Sequence, residues 1–300
     1  MKPPPFTYFA PASRAEALGL LEEHGYEAKV LAGGQSLVPS MNFRLAAPSI
    51  LIDLNGVADL FGIHPTDDGG LRIGAMTRQR MVERSPLVRE RASLIWEAMP
   101  DIAHPQIRNR GTFGGSLAHA DPAAELPALC VALNADLIAQ SVHGDRPIPA
   151  AEFFLGLFTT SLDAEEILVE IIIQPLPART GTAFEEVARR HGDYALAGAA
   201  AVVTLDDEGK VAESRLVFLS LGDAPVVASS PGNMLQGEMP TEDAIRDAAE
   251  AVDSDIEPGT DIHATEAFRR HLAKVLARRT LTNAVERARN TEVVSHLFAT

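Results

Sequence analysis

Two glycine pairs, each following an apolar run and each leading into small polar side chains, constrain this chain more than any other feature. The first lies in Lys29-Val30-Leu31-Ala32-Gly33-Gly34-Gln35-Ser36-Leu37-Val38-Pro39, the second in Ile107-Arg108-Asn109-Arg110-Gly111-Thr112-Phe113-Gly114-Gly115-Ser116-Leu117. Glycine permits positive φ and lets a ligand approach the main chain where a β-carbon would block it. Successive amide groups in such turns form a concave donor array that holds anions. A pyrophosphate, with several charged acceptors, suits that array. Ser36, Thr112 and Ser116 add hydroxyl donors, and Pro39 is expected to end the first turn. Residues 32–36 and 112–116 are therefore candidates for gripping one pyrophosphate from two sides. Taken singly each pair also reads as an ordinary turn, and the pattern alone does not name the ligand.

Several other chemistries are excluded. No G-x-G-x-x-G follows a strand and no Gly-Lys-Ser/Thr follows Gly33-Gly34, so neither the Rossmann fingerprint nor a P-loop is present. His119 and Asp121, two residues apart in a loop, do not have the spacing of a metal site. The single cysteine, Cys130, rules out an internal disulfide or a self-contained iron–sulfur cluster and reads as a small core residue between Leu129 and Val131. A net charge of −15 argues against nucleic acid as a partner. No apolar window reaches the roughly 18 residues of a membrane span. The start, Met1-Lys2-Pro3-Pro4-Pro5, lacks the apolar region of an export signal, which predicts a cytoplasmic protein.

Along the chain, the patterns predict a mixed α/β (α+β) fold. Ser13 and Glu16 make a capping box for a helix over residues 13–25, which Gly25 ends. Strands are expected at residues 29–32, 50–54 and 71–75, a helix at 87–99, another at 122–133, and strands at 136–140 and 166–173. Gln174-Pro175-Leu176-Pro177 then marks a domain boundary. Beyond it come strands at 184–188, 199–205 and 216–221, with Asp206-Asp207-Glu208-Gly209 as a hairpin turn. Helices at 244–252 and from 265 to about 289 close the chain, the last carrying Phe268, Leu272, Val275 and Leu276 as an apolar stripe.

With both glycine stretches in view, the sequence resembles the FAD-binding medium (flavoprotein) subunit of the molybdenum hydroxylases, the family of aerobic carbon monoxide dehydrogenase and xanthine dehydrogenase. The resemblance is carried by residues 32–39, by residues 107–117 continued through Ala118-His119-Ala120-Asp121-Pro122-Ala123-Ala124-Glu125, and by Arg189-Arg190-His191-Gly192-Asp193-Tyr194-Ala195. It covers nearly the whole chain. It implies a two-part FAD-binding domain of the vanillyl-alcohol-oxidase (PCMH) type over residues 1–176, split near 55–60. A smaller α+β domain with a three-stranded antiparallel sheet and helices would follow over residues 177–300.

It also implies residue roles. Ala32, Gly33, Gly34, Gln35, Ser36 and Leu37 from one side, and Thr112, Gly114, Gly115 and Ser116 from the other, would hold the FAD pyrophosphate. Asp121 would hydrogen-bond in the site, Ile167 or Leu168 would contact the flavin or adenine region, and Tyr194 would lie by the isoalloxazine ring. Asp121 reads equally as a helix N-cap ahead of Pro122, and Tyr194 as a core aromatic. Gln35 stands where some members carry histidine, which implies non-covalent FAD. Glu185 and Glu186 stand where members often carry lysine. Arg108 and Arg110 are open to phosphate, to a partner or to local pairing.

No residue pair reads as catalytic. The resemblance implies an electron-transfer subunit that passes electrons from the [2Fe–2S] clusters of a small subunit through FAD to an external acceptor. The substrate would be oxidised on a large molybdopterin subunit, in a dimer of heterotrimers. The alternatives are a stand-alone flavin oxidoreductase and a non-redox module whose glycine turns are structural.

Overall fold

The computed structural model describes the main chain of residues 2–297 and the side chains of residues 2–290, so residue 1 and residues 298–300 of the two expected domains lie outside the described residues. The first layer is a parallel sheet ordered β1-β3-β2, built from β1 (Thr7–Phe9), β2 (Ala28–Leu31) and β3 (Ile50–Asp53). Parallel strands need crossovers. These are α1 (Arg14–His24) and α2 (Leu37–Asn42). Ser13 Oγ caps α1 by accepting the Glu16 amide, Gly25 ends it at φ 46°, and Ala17, Leu18 and Leu21 pack on the central strand β3.

The chain then builds an antiparallel sheet ordered β4-β5-β10-β6-β7. Its members are β4 (Ile63–Pro65), β5 (Leu71–Gly74), β6 (Asp136–Ser141), β7 (Gly144–Pro149) and, after the small hairpin β8 (Phe154–Gly156) and β9 (Thr159–Thr160), the central β10 (Ile167–Ile173). β10 is a wall between two cores. Ile167 and Val169 face the cluster under the parallel sheet, while Leu168, Ile171 and Ile173 face the large cluster on the other side. That double burial explains its nearly unbroken apolar sequence.

Between β5 and β6 run short helices: α3 (Gln79–Arg84), α4 (Pro86–Arg91), α5 (Ser93–Ala98), α6 (Pro105–Arg108), α7 (Phe113–His119) and α8 (Glu125–Ala132). The single helix expected over residues 87–99 is two helices, broken at Ala92 (φ −141°, ψ 53°). The break turns both Leu94 and Ile95 into the core, where they are fully buried. The helix expected from residue 122 begins only at Glu125, because Asp121 closes a local turn first. A short α9 (Ala150–Phe153) follows β7.

The last layer is an antiparallel sheet of four strands, not the three expected: β11 (Thr180–Ala188), β12 (Ala195–Leu205), β13 (Val211–Leu219) and the short edge strand β14 (Val226–Ala228). Three residues of Val-Val-Ala are too brief to register as a strand against the pattern around them. Asp206 forms the expected β12–β13 turn, its Oδ1 accepting the amides of Glu208 and Lys210 with Gly209 at φ 81°. β12 reads Ala-Leu-Ala-Gly-Ala-Ala-Ala and is buried on both faces, which favours its mostly small side chains.

Outside the sheet lie α10 (Ser229–Leu235), α11 (Glu242–Ala251) and the long α12 (Glu266–Leu297). α12 comes so close to β11 that a β-carbon on Gly181 would overlap the Ala284 carbonyl. Its buried stripe is Leu272, Leu276, Leu281 and Val285 with interleaved alanines; Phe268, expected to lead that stripe, is 45% exposed, and Val275 is half-buried. Arg269 takes the inward place, donating to the carbonyls of Leu196 (2.5 Å) and Ser220 (3.3 Å).

Candidate functional site

The parallel sheet delivers the first glycine stretch at the C-terminal end of β2. Ala32 and Gly33 bend the chain, Gly34 takes φ 74°, and α2 starts at Leu37. Pro39 does not end the turn; it sits in the first turn of α2, where an amide would have no helical acceptor anyway. Among the described residues, the amides of Gly33, Gly34, Gln35 and Ser36 donate no hydrogen bond. Unpaired donors in a half-buried loop call for an acceptor. Gln35 Nε2 donates to the Gly33 carbonyl (3.1 Å), so its side chain braces its own loop.

The second stretch differs. Gly114 and Gly115 lie inside the first turn of α7 rather than in an open turn. The Phe113 amide donates to Thr77 O (2.9 Å), Gly114 to Ala75 O (2.8 Å), Gly115 to Thr112 Oγ1 (3.1 Å) and Ser116 to Thr112 O (3.3 Å). The donor array expected here is thus already used by the fold. Thr112 is 2% exposed and its hydroxyl caps the helix. A β-carbon on Gly114 would stand 2.5 Å from the Ala75 β-carbon, so this glycine serves packing. The half-buried Ser116 hydroxyl has no partner among the described residues.

The two stretches touch. A β-carbon on Gly33 would lie 2.5 Å from Arg110 O and 2.7 Å from Gly111 Cα, and one on Gly115 would lie 3.2 Å from Ala32 Cβ. A clamp that the sequence did not single out locks them. Asn55 Nδ2 donates to Ala32 O (2.9 Å) and to Asp53 Oδ1; Arg78 donates to Asn55 Oδ1 (2.5 Å) and to Arg110 O (2.5 Å). Asp53-Leu54-Asn55-Gly56 is legible as a turn, but its reach to Ala32 depends on β2 lying beside β3. Burial would push the Asp53 carboxyl up, but hydrogen bonds from Tyr8 (2.6 Å) and Asn55, with the Arg110 charge, hold it below its ordinary value. Burial and then the Arg110 charge lower the Arg78 guanidinium. Arg110 therefore brings positive charge to the cradle, and it has no ion pair among the described residues. Arg108 takes the local role. It is 4% exposed, bidentate to Glu83 (3.0 and 3.2 Å), and donates to Ile102 O (2.8 Å) and Ala103 O (2.9 Å).

The third motif comes from the β11–β12 connection. Gly192, at φ 77°, packs against His104 and Ala103, just ahead of the second stretch, and Arg189 bridges Asp193 (2.8 Å). Tyr194 is 63% exposed, so it is no core aromatic. Desolvation, then the charges of Asp121, Glu125 and Asp193, push its hydroxyl up. Asp121 is not a helix N-cap: Ala124 holds that position, and Asp121 Oδ1 accepts the Ala123 amide (2.9 Å) in a turn. Ile167 and Leu168 are 2% and 6% exposed, so their side chains belong to the core. β10 pairs with β5 only from Glu170 on, and both residues lie past that end of the ladder. His119 lies 5.0 Å from Phe158, in the turn of the small hairpin, with the two rings tilted, and burial lowers its imidazole.

The residues present fit a pyrophosphate: the 32–36 loop carries unused amides at 33–36 and packs against Gly111 and Gly115, and next to those glycines in the chain stand Arg110, with no ion pair among the described residues, and Ser116, with a free hydroxyl. Among the described residues no group of acidic, histidine or cysteine side chains could hold a metal ion, and no helix is long and apolar enough to cross a membrane.

Residues 4–177 match the family described as the FAD binding domain in molybdopterin dehydrogenase, and residues 182–284 the CO dehydrogenase flavoprotein C-terminal domain. The chain is 42% identical to subunit alpha of the 6-hydroxypseudooxynicotine dehydrogenase complex of Paenarthrobacter nicotinovorans, over 97% of this chain and 98% of the relative. It is 38% identical to the carbon monoxide dehydrogenase medium chain of Hydrogenophaga pseudoflava, over 95% and 98%. A solved structure of carbon monoxide dehydrogenase from the same organism, lacking the Mo-pyranopterin moiety, superposes with a TM-score of 0.92 at 39% identity, covering 96% of this chain and 99% of that one.

Proposed function

The chain belongs to the family of FAD-binding medium subunits of the molybdenum hydroxylases, and we propose that residues 32–37, Arg110, Ser116, Asp121 and Tyr194 are where it holds that FAD. It is the electron-transferring subunit of a heteromeric dehydrogenase, with molybdopterin and iron–sulfur clusters carried by large and small partner subunits. Bound FAD accepts electrons singly or in pairs and so joins one-electron carriers to an external acceptor. The chain's own contribution is position and electrostatics. The Gly33–Ser36 amides and Arg110 take the pyrophosphate, the Asn55–Arg78 clamp fixes the two walls, and Tyr194 covers the ring. Thr112, Gly114 and Gly115 shape the second wall through packing and capping, and Ile167 and Leu168 back it through main chain and core. Gln35 offers an amide where a covalent link would need a nucleophile, so the FAD is non-covalent.

The observation that carries this reading is the run of four unused amides, Gly33 to Ser36, in a loop that packs at Gly33 against the Arg110–Gly111 backbone. The domain division we propose is 1–176 and 177–300, the assembly a dimer of heterotrimers, and the location cytoplasmic. Two relatives of nearly equal similarity are named for carbon monoxide and for 6-hydroxypseudooxynicotine. The oxidised substrate is accordingly chosen on another subunit. A stand-alone oxidoreductase has no observation in its favour. Purified chain should be yellow and release one FAD on acid treatment; colourless protein that takes up no added FAD would overturn the assignment.

A further inference from the structure

Two residues with positive φ meet where the β11–β12 loop lies on the segment ahead of α6: Gly192 at φ 77° and Ala103 at φ 46°. A β-carbon on Gly192 would overlap the His104 ring and stand 2.9 Å from Ala103 O. Glycine therefore suits position 192 on two counts, conformation and space. Ala103 does carry a β-carbon, and such a residue keeps a left-handed conformation only where its surroundings over-determine it. Arg108 supplies that constraint. Its Nη1 donates to Ile102 O (2.8 Å) and Ala103 O (2.9 Å), the two carbonyls that flank the Ala103 dihedrals. Its Nε and Nη2 donate to Glu83. The guanidinium is buried, so losing one of these partners would not be made good by water.

The loop that lands on this turn is braced within itself. The Asp193 amide donates to Arg190 O (3.1 Å), Asp193 Oδ2 accepts Arg189 Nη2 (2.8 Å), and Asp193 Oδ1 accepts the Tyr194 amide (3.1 Å). Where Gly192 is seated thus decides where Tyr194 starts. Arg108 also belongs to the chain that becomes the second wall of the cradle. The amides of Arg110 and Gly111 donate to Ile107 O (3.0 and 2.7 Å), and Gly111 crowds Gly33. One side chain ties the Arg110–Gly111 wall to the seat of the Tyr194 loop.

We propose that Arg108 and Gly192 are positioning residues for Tyr194. The Arg108 guanidinium holds the left-handed turn at Ala103, Gly192 closes on that turn without a β-carbon, and Tyr194 is thereby set at a fixed place relative to the Arg110–Gly111 wall. This latch is a property of the chain alone. Its purpose, to align Tyr194 with the flavin ring while the Gly33 loop holds the pyrophosphate, rests on the proposed function.

Fluorine NMR of the full chain labelled with 3-fluorotyrosine tests the latch. Tyr194 is told from Tyr8 and Tyr26 by the resonance that Tyr194→Phe removes. In the FAD-free chain, Gly192→Ala and Arg108→Met should each shift or broaden the Tyr194 resonance. Gly209→Ala is the control: Gly209 has φ 81°, and the nearest atom to an added β-carbon, Met239 Cε, would be 3.9 Å away, so the variant is strained without a clash and should leave Tyr194 unmoved. A Tyr194 resonance at its wild-type place in Gly192→Ala, or equally displaced in Gly209→Ala, would overturn the proposal, whether or not Arg108→Met folds. An unmoved resonance in folded Arg108→Met would overturn the part given to Arg108. Added FAD should shift the wild-type Tyr194 resonance and lose that effect in Gly192→Ala. A wild-type resonance indifferent to bound FAD would sink the place of Tyr194 at the ring, while the FAD-free spectra still decide the latch.

Discussion

The two glycine stretches look alike in sequence and do different work. At residues 33–36 the amides are unused; at residues 113–116 every amide already has an acceptor in Thr77, Ala75 or Thr112. The first stretch follows a strand and opens into a loop, so the fold leaves its donors without acceptors. The second begins a helix held against β5, so its glycines buy closeness to Ala75 and to Ala32 rather than donors. A Gly-Gly-polar pattern therefore reports backbone crowding in both cases, and only the hydrogen-bond inventory tells a ligand cradle from a packing contact.

That contrast can be broken by substitution. The largest effect is expected at Gly33→Val, which drives a side chain into Arg110 O and Gly111 and should weaken FAD binding by about three orders of magnitude, roughly 4 kcal/mol. FAD retained at wild-type level would remove the first stretch from the site. Gly114→Ala should destabilise the fold by about 1–3 kcal/mol through overpacking on Ala75, read as a lower denaturation midpoint. The FAD affinity of its folded fraction should stay close to wild type, and a large selective loss would return donor status to the second stretch. Asn55→Ala releases Ala32 O and Arg78 and should weaken FAD about tenfold, about 1.4 kcal/mol, by isothermal titration. Arg110→Gln should weaken it to a similar or smaller degree, and the deficit should shrink at high salt, because an accessible charge is screened. Gln35→Ala removes one loop brace and should change affinity by less than about threefold, within the net worth of a neutral hydrogen bond.

Much of this was legible in the chain. Ser13, Glu16 and Gly25 bounded α1, and Asp206 to Gly209 formed the turn their side chains dictate. Those signals are local. What escaped was non-local. The Asn55–Arg78 clamp needs β2 beside β3, the break at Ala92 answers to burial of Leu94, and Phe268 lost its inward place to an arginine that serves two carbonyls. Residue-by-residue roles in the proposed site came only from resemblance. The division of labour between the two stretches was not, because whether an amide is free depends on what the fold places opposite it.

Amide hydrogen exchange at single residues, with and without FAD, tests that division most directly. Gly33, Gly34, Gln35 and Ser36 should exchange rapidly in the FAD-free chain and become protected when FAD is added, while Phe113, Gly114, Gly115 and Ser116 should be protected in both. New protection at residues 113–116 with none at residues 33–36 would contradict the account.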